Sequence, residues 1–282
     1  LYQEIFEQNM YLKEGIILED NACVLDVGGN IGSFSIFAQH HCKNPTIYAF
    51  EPIPQTFAVL KRNFEHHHIQ GQVLNLGISN KNEQVEFSYY PNMPGLSGRF
   101  ADLESEVFAA KSMIRGAVED NLEAGFDIED PSVSKFIEQT YQSEQVKCQL
   151  TTISDVIAQY QIQQIDLLKV DIEKSECLAL EGIKAEDWPK IQQITMEVDG
   201  DENLQIIQTL LEQHHFNVAV LDFINVAQSK EHEAFNVYML YARRENIKPP
   251  MIPASNEVKT TSRKISSSEI RHFLSQHLPD YM

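Results

Sequence analysis

The sequence predicts an α/β protein built on a mostly parallel sheet with helices on both faces. Three observations carry that expectation. Short β-branched and aromatic runs alternate with helix-spaced segments from Ala22 to Ala242, the pattern of repeated βα units. The first run ends in the glycine turn Gly28–Gly32, and a helix starts directly after it. Several later runs end in acidic residues: Glu51, Asp171, Glu197 and Asp199.

The chain has 282 residues, of which 43% are hydrophobic and 22% charged. That composition suits a packed globular domain of about 200–250 residues with extensions. No apolar run approaches the roughly 20 residues of a membrane helix, and residues 1–20 lack the basic start and apolar stretch of a signal peptide. A cytoplasmic protein that does not engage a membrane is expected. The net charge of −19 repels phosphate backbones, which argues against nucleic acid as a partner. Cys23, Cys42, Cys148 and Cys177 are scattered without CxxC or zinc spacing and read as reduced structural thiols.

Residues 1–21 carry loosely helical apolar positions at Ile5, Phe6, Met10, Leu12, Ile16 and Ile17, which predicts a helix leading into the core. From residue 22 the expected order is a strand, the glycine turn, a helix over Ser33–His41, a strand over Thr46–Phe50 and a helix over Gln55–His66. Strands are expected at Val73–Ile78 and Val85–Tyr90. The acidic segment 91–146 breaks the rhythm and reads as a mostly helical lid. Beyond it the pattern predicts a helix at Ile153–Tyr160, a strand at Ile165–Val170, a helix at Cys177–Ile183, a strand at Gln193–Glu197 and a helix at Leu204–His214. Strands at Asn217–Leu221 and Asn236–Ala242 have no long helix between them, which predicts a hairpin with an antiparallel strand at one edge. The domain therefore runs over 22–244. A Pro/Ser/Thr-rich linker covers 245–267, and a short helical segment closes the chain at 268–282.

In open parallel sheets ligands sit beyond the carboxyl ends of the strands. At the first such end, Asp26-x-Gly28-Gly29-Asn30-x-Gly32 lets backbone approach a ligand and leads into a helix N-terminus. Asn30 and Ile31 precede Gly32 with no earlier glycine in register, so the loop does not fit the dinucleotide pattern GxGxxG. At the second end, Glu51, followed by Pro52, can accept hydrogen bonds from both hydroxyls of a ribose. Loop and acid at successive strand ends predict a nucleoside-containing ligand, with Gly77 and Ile78 beside its base.

The remaining ends bring together Lys169, Asp171, Glu173 and Glu176 with Glu197 and Asp199. Carboxylates converging from two strand ends could deprotonate a hydroxyl, or Asp171 and Glu197 could hold Mg²⁺ that lowers its pKa. A second reading stays open, in which Lys169, Asp171 and Glu173 form a structural ion-pair network. His66, His67 and His68 lie at a helix end, where cations meet the negative end of the dipole, and no histidine shows the spacing of a metal pair. Tyr89, Tyr90, Met93, Met10 and Tyr11 are candidates for an acceptor pocket or for ordinary core.

With these residues in place the chain resembles the FkbM-type methyltransferases. The resemblance rests on VLDVGGNIGSFS at 24–35, YAFEPIPQTFAVLKRN at 48–63, TTISDVI at 151–157, LLKVDIEKSECLALEGI at 167–183 and ITMEVD at 194–199. It implies a Rossmann-like class I methyltransferase fold with a seven-stranded sheet, S-adenosylmethionine as donor, S-adenosylhomocysteine as product and a hydroxyl as acceptor. By the same resemblance Asp26, Gly28, Gly29, Asn30, Gly32 and Glu51 bind the cofactor, while Lys169, Asp171, Glu173 and Glu197 face the acceptor. Two departures stand out: Gly29 where the family often has Ala, and Lys174 where its D-x-E-G-x-E motif expects Gly.

Residues 269–282, EIRHFLSQHLPDYM, resemble a segment of nonribosomal peptide synthetase adenylation domains. NMYLKEGI at 9–16 and YYPNMPGLSG at 89–98 resemble methyltransferases embedded in such synthetases. Together with a start at Leu1, this implies a tailoring domain excised from a natural-product synthetase. Its partners would be a phosphopantetheinyl carrier protein bearing the acceptor and a neighbouring adenylation domain. Nitrogen methylation by the same fold, and a cofactor-binding domain without turnover, are the rival readings.

Overall fold

The computed structural model describes residues 2–101, 139–226 and 235–244. The expected linker 245–267, the segment 268–282 and most of the expected lid lie outside these residues.

A seven-stranded sheet has the order β3-β2-β1-β7-β8-β10-β9. Strands β1 (Cys23–Val27), β2 (Thr46–Phe50) and β3 (Gly71–Leu74) run parallel on one side, and β7 (Leu167–Val170) and β8 (Gln193–Asp199) continue the parallel set on the other. The chain leaves β1 towards β2 and β3, then returns to β7 on the opposite flank. This reversal makes the carboxyl ends of β1 and β7 the topological switch point, where ligands of doubly wound sheets bind.

Burial follows the period of two expected for strands covered on both faces. Along β1 and β7, Leu25, Val27, Leu168 and Val170 join one buried cluster with Phe50, Ile157, Leu180 and Leu211. Val24 and Leu167 join the other, with Phe34, Leu60, Met239 and Tyr241. Helices α1 (Ser33–His41) and α2 (Pro54–His66) contribute Phe34, Phe37, Leu60 and Phe64 to the second cluster. Helices α3 (Ile153–Tyr160), α4 (Glu176–Glu181) and α5 (Asp201–Gln213) contribute Ile153, Leu180 and Ile207 to the first. The Thr152 hydroxyl caps α3 by accepting from the Asp155 N–H at 3.0 Å, which satisfies one of the orphan donors of the first turn.

Four expectations need correction. The antiparallel strand is β10 (Phe235–Arg244), and it lies inside the sheet between β8 and β9 (Phe216–Val226), leaving β9 at the edge. The single strand expected at 73–78 is two. Its first half belongs to the main sheet, while β4 (Gly77–Ile78) pairs with β6 (Glu144–Thr151) in a second sheet completed by β5 (Glu83–Tyr89). Strand β6 takes in 144–146 from the end of the expected helical lid and 147–151, where no element was expected; Cys148, Leu150 and Thr151 are its buried residues. The N-terminal helix is instead two short turns, Gln3–Glu7 and Met10–Leu12, separated by Asn9 in left-handed backbone. Ile5, Met10, Tyr11 and Ile16 all enter the core, and a single straight helix does not present that spacing to one surface. Among the described residues no helix is long and apolar enough to cross a membrane.

Candidate active site at the switch point

Strands β1 and β2 hold the glycine loop from below. The Gly28 and Gly29 N–H groups both donate to the Phe50 carbonyl, at 3.1 and 2.8 Å. Gly28 has φ +77, and a Cβ there would overlap the carbonyl oxygen of Asp171. Its small size therefore serves the approach of two strand ends as well as that of a ligand. Gly29 and Gly32 pack against Leu60 of α2, and Asn30 takes φ 47, a backbone that asparagine tolerates. The Asn30 N–H donates to Glu51 Oε2 at 3.1 Å and the Ile53 N–H to Oε1 at 2.9 Å. Asn75 secures the same turn by donating to the Glu51 and Pro52 carbonyls, each at 2.9 Å.

Next to this turn lies a small cleft, part of it open to solvent. Its apolar walls come from Phe50, Pro52, Ile78, Leu150, Ile172 and Leu178, with Gly28 and Gly77 on its floor. Ser79, Arg99 and Ser175 add polar atoms to the lining. Apolar walls with a few polar groups are the chemistry that receives a flat heteroaromatic base. Beside it Glu51 is 6% exposed, and burial pushes its carboxyl up to about 7 against the lowering effect of its two backbone N–H partners. Two ribose hydroxyls donating to that carboxylate would supply stabilisation that burial withholds, so the residues present fit a nucleoside.

The expected cofactor residues fall into three groups. Gly28, Pro52, Gly77 and Ile78 line the cleft. Glu51 and Asn30 meet at one another. Within the loop Gly29 and Gly32 face Leu60, and Asp26 beneath it is wholly buried, accepting from the Ser35 hydroxyl at 2.6 Å and pairing with Lys169 Nζ at 3.3 Å. Asp26 thus acts on the shape of the loop and on the first turn of α1. Ser35, Ser79, Ser175 and Arg99 escaped the sequence reading, since only the fold brings them to the loop or the cleft.

At the carboxyl end of β7, Lys169 is 2% exposed. Its ammonium donates to the Gly28 carbonyl at 2.8 Å and pairs with Asp26 Oδ1 and Asp171 Oδ2 at 3.3 and 3.4 Å. Burial opposes that charge, but Asp171 and Asp26 outweigh it and raise the lysine's pKa. The geometry places Lys169 inside an ion-pair network, the second of the two roles open from sequence, because both its partners and its burial turn it away from solvent.

Asp171, Glu173 and Glu197 each offer an oxygen, all within 4.8 Å of one another. Burial, then Asp171 and Asp199, push Glu197 up to about 9. Burial and Asp199 push Glu176 to about 8. Glu176 Oε2 and Asp199 Oδ1 are buried without a hydrogen-bond partner among the described residues. So dense an acidic group keeps some members protonated near neutral pH. It can accept a proton from an acceptor hydroxyl or hold a divalent cation through oxygens. The Glu173–Lys174 turn that carries it has two consecutive residues in left-handed backbone, at φ 43 and 64. Lysine thus stands in a conformation that glycine enters freely, and the Lys174 N–H donates to Asp199 Oδ2 at 2.9 Å.

The family described as methyltransferase FkbM domain matches residues 26–223. The 31-O-demethyl-FK506 methyltransferase FkbM of Streptomyces tacrolimicus is 36% identical over 220 residues, covering 77% of this chain and 81% of that protein. Methyltransferase 1 of Beauveria bassiana is 30% identical over 223 residues, covering 78% of this chain and 81% of that protein. The AMB antimetabolite synthetase AmbE of Pseudomonas aeruginosa is 27% identical over 292 residues. That alignment takes in the whole of this chain but spans only 14% of the synthetase.

Proposed function

The chain belongs to the FkbM methyltransferase family, and from that premise we propose that it methylates a hydroxyl on an aminoacyl or hydroxyacyl group carried by a phosphopantetheinyl carrier protein. The observation that carries the proposal is the meeting of two half-sites at the switch point: an apolar cleft beside Glu51 and an acidic cluster at the ends of β7 and β8. S-adenosylmethionine, bound in the first, supplies an electrophilic methyl group on a sulfonium. The chain's own task is to hold the acceptor oxygen in line with that methyl group, exclude water and take up the hydroxyl proton. As the new C–O bond forms and the C–S bond breaks, that proton passes to the carboxylate of Asp171. The products are a methyl ether and S-adenosylhomocysteine.

Oxygen as the acceptor atom is supported by the name of the 31-O-demethyl-FK506 relative. A carrier-bound acceptor is supported by the match along the whole chain to a fraction of a synthetase and by the adenylation-like tail. The neighbouring domain would be an adenylation domain of the same polypeptide. Asp171, Glu173 and Glu197 are the residues that would hold Mg²⁺, which would acidify the hydroxyl. Loss of turnover in EDTA with recovery on Mg²⁺ supports that role, and indifference to EDTA assigns proton uptake to the carboxylates alone.

The test of the reaction uses the purified chain, S-adenosylmethionine and a carrier protein loaded with a seryl or 3-hydroxybutyryl group. Intact-protein mass spectrometry should show the gain of one methyl group, and tandem spectra should place it on oxygen. A methyl group on nitrogen would replace the proposal with N-methylation. Normal S-adenosylhomocysteine binding without turnover on any loaded carrier would favour a domain that binds cofactor and does no chemistry.

A further inference from the structure

The N-terminal segment lies outside the residues matched by the family, 26–223, yet it reaches the acidic cluster. The Tyr11 hydroxyl donates to Asp171 Oδ2 at 2.9 Å. Lys169 Nζ stands 3.4 Å from the same oxygen and 5.4 Å above the Tyr11 ring. The ring is 2% exposed and packs edge-on against Phe34 of α1, with centroids 5.1 Å apart and planes at 72°. Tyr11 thus spans the first turn of α1 and the end of β7.

Its position is held from both sides. The Tyr241 hydroxyl of β10 donates to the Met10 carbonyl at 2.6 Å. The Gln193 side chain of β8 accepts from the Ile17 N–H at 2.9 Å and donates to the Ile17 carbonyl at 2.8 Å. These bonds fix the backbone on either side of Tyr11 to the main sheet. A buried phenol bonded to the Asp171 carboxylate, on a backbone clamped at two points, restricts that carboxylate to one rotamer.

We propose that Tyr11 is a positioning residue of the methyl-transfer site, holding Asp171 Oδ2 against Lys169 so that Oδ1 is presented to the acceptor hydroxyl. Among the described residues the two groups that bond the carboxylate both take Oδ2, which leaves Oδ1 as the oxygen for a new partner. The N-terminal segment is then part of the site as well as of the core. This inference rests on the reading of Asp171 as the residue facing the acceptor.

Tyr11→Phe removes only the O–H and keeps the ring against Phe34. With the seryl- or 3-hydroxybutyryl-loaded carrier protein, kcat should fall on the order of ten- to hundredfold, the usual loss when a group orienting a reactive ligand is removed. Calorimetric S-adenosylhomocysteine affinity and Tm should stay at wild-type values, and a crystal structure of the variant should show Asp171 in more than one rotamer. Unchanged kcat overturns the inference. So does a joint loss of Tm, cofactor affinity and kcat, which would make Tyr11 a packing residue. Asp171→Asn separates the two levels of argument: if it abolishes turnover while Tyr11→Phe does not, the positioning role alone fails. If Asp171→Asn turns over normally, the assignment of Asp171 fails and the inference with it.

Discussion

Lys169 and Asp26 are register partners on adjacent parallel strands, and their side chains meet at 3.3 Å in the interior, with the lysine also bonded to the Gly28 carbonyl. The cation ties the end of β7 to the glycine loop. Removing one partner of a buried pair leaves the other charge uncompensated, which costs roughly 3–5 kcal/mol. Lys169→Met should therefore lower urea-denaturation stability by about that amount and abolish S-adenosylhomocysteine binding. Asp26→Asn added to it should recover part of the stability. A double variant as unstable as the sum of the single variants would show that the two charges are not coupled.

Glu51 predicts a pH dependence of cofactor binding. Burial raises its pKa to about 7, so the free protein protonates it just where the ribose hydroxyls need an ionised acceptor. Affinity for S-adenosylhomocysteine should fall as pH drops below about 7, approaching tenfold per pH unit, and Glu51→Gln should bind weakly with a flat profile. The sign for stability is opposite. A carboxyl raised in the folded state contributes stability present below its ordinary value of 4.5 and lost as pH rises through about 7. Glu51 should thus destabilise the cofactor-free chain at pH 8 relative to pH 5. Titration calorimetry between pH 5.5 and 8.5 checks the binding half; equal affinity throughout that range would remove Glu51 from the site.

Adjacent glycines should respond differently to alanine. At Gly28 a Cβ meets the Asp171 backbone and the φ is +77, so Gly28→Ala must separate the ends of β1 and β7. At Gly29 the nearest neighbour is the Leu60 Cδ2 tip at 3.2 Å, a methyl group that can move by a few tenths of an ångström. Gly29→Ala should keep its Tm and S-adenosylhomocysteine affinity, while Gly28→Ala should lose measurable binding. The reverse order would refute the packing role of Gly28.

Lys174 stands at φ 64, where a side chain costs about 1 kcal/mol relative to glycine. Its N–H bond to Asp199 Oδ2 does not require a side chain. Lys174→Gly should raise stability by up to about 1 kcal/mol, seen as a Tm gain on the order of 2–4 °C, whereas Lys174→Ala should not. A lower Tm for the glycine variant would mean that the lysine charge near Asp199 outweighs backbone strain.

Much of the fold was legible in the chain. Helices α1 and α3 and strand β2 fall on their expected residues, because glycine, proline and capping residues mark their ends and apolar spacing marks their faces. Strand β6 was missed although Val146, Cys148 and Leu150 alternate with polar residues, because five of its eight residues are polar and it begins inside the acidic segment. The split of 73–78 into β3 and β4 was hidden for a related reason: a chain crossing between two sheets keeps the same β-rich composition. Tyr11 was legible only as a candidate for an acceptor pocket or core, as its partner Asp171 is 160 positions away.

By itself the sequence determined which residue types stand at the strand termini: the glycine loop, Glu51 at the next strand end, and carboxylates at the ends of β7 and β8. Only the tertiary structure decided which of these residues face the cleft and which hold it together. Period-two alternation tells that Asp26 and Lys169 lie on defined faces of their own strands, but the register between strands 143 residues apart is fixed by packing of the whole sheet. That register turns Asp26 and Lys169 towards each other and away from solvent, brings Tyr11 over them, and leaves Asp171 and Glu197 at the edge of the cluster.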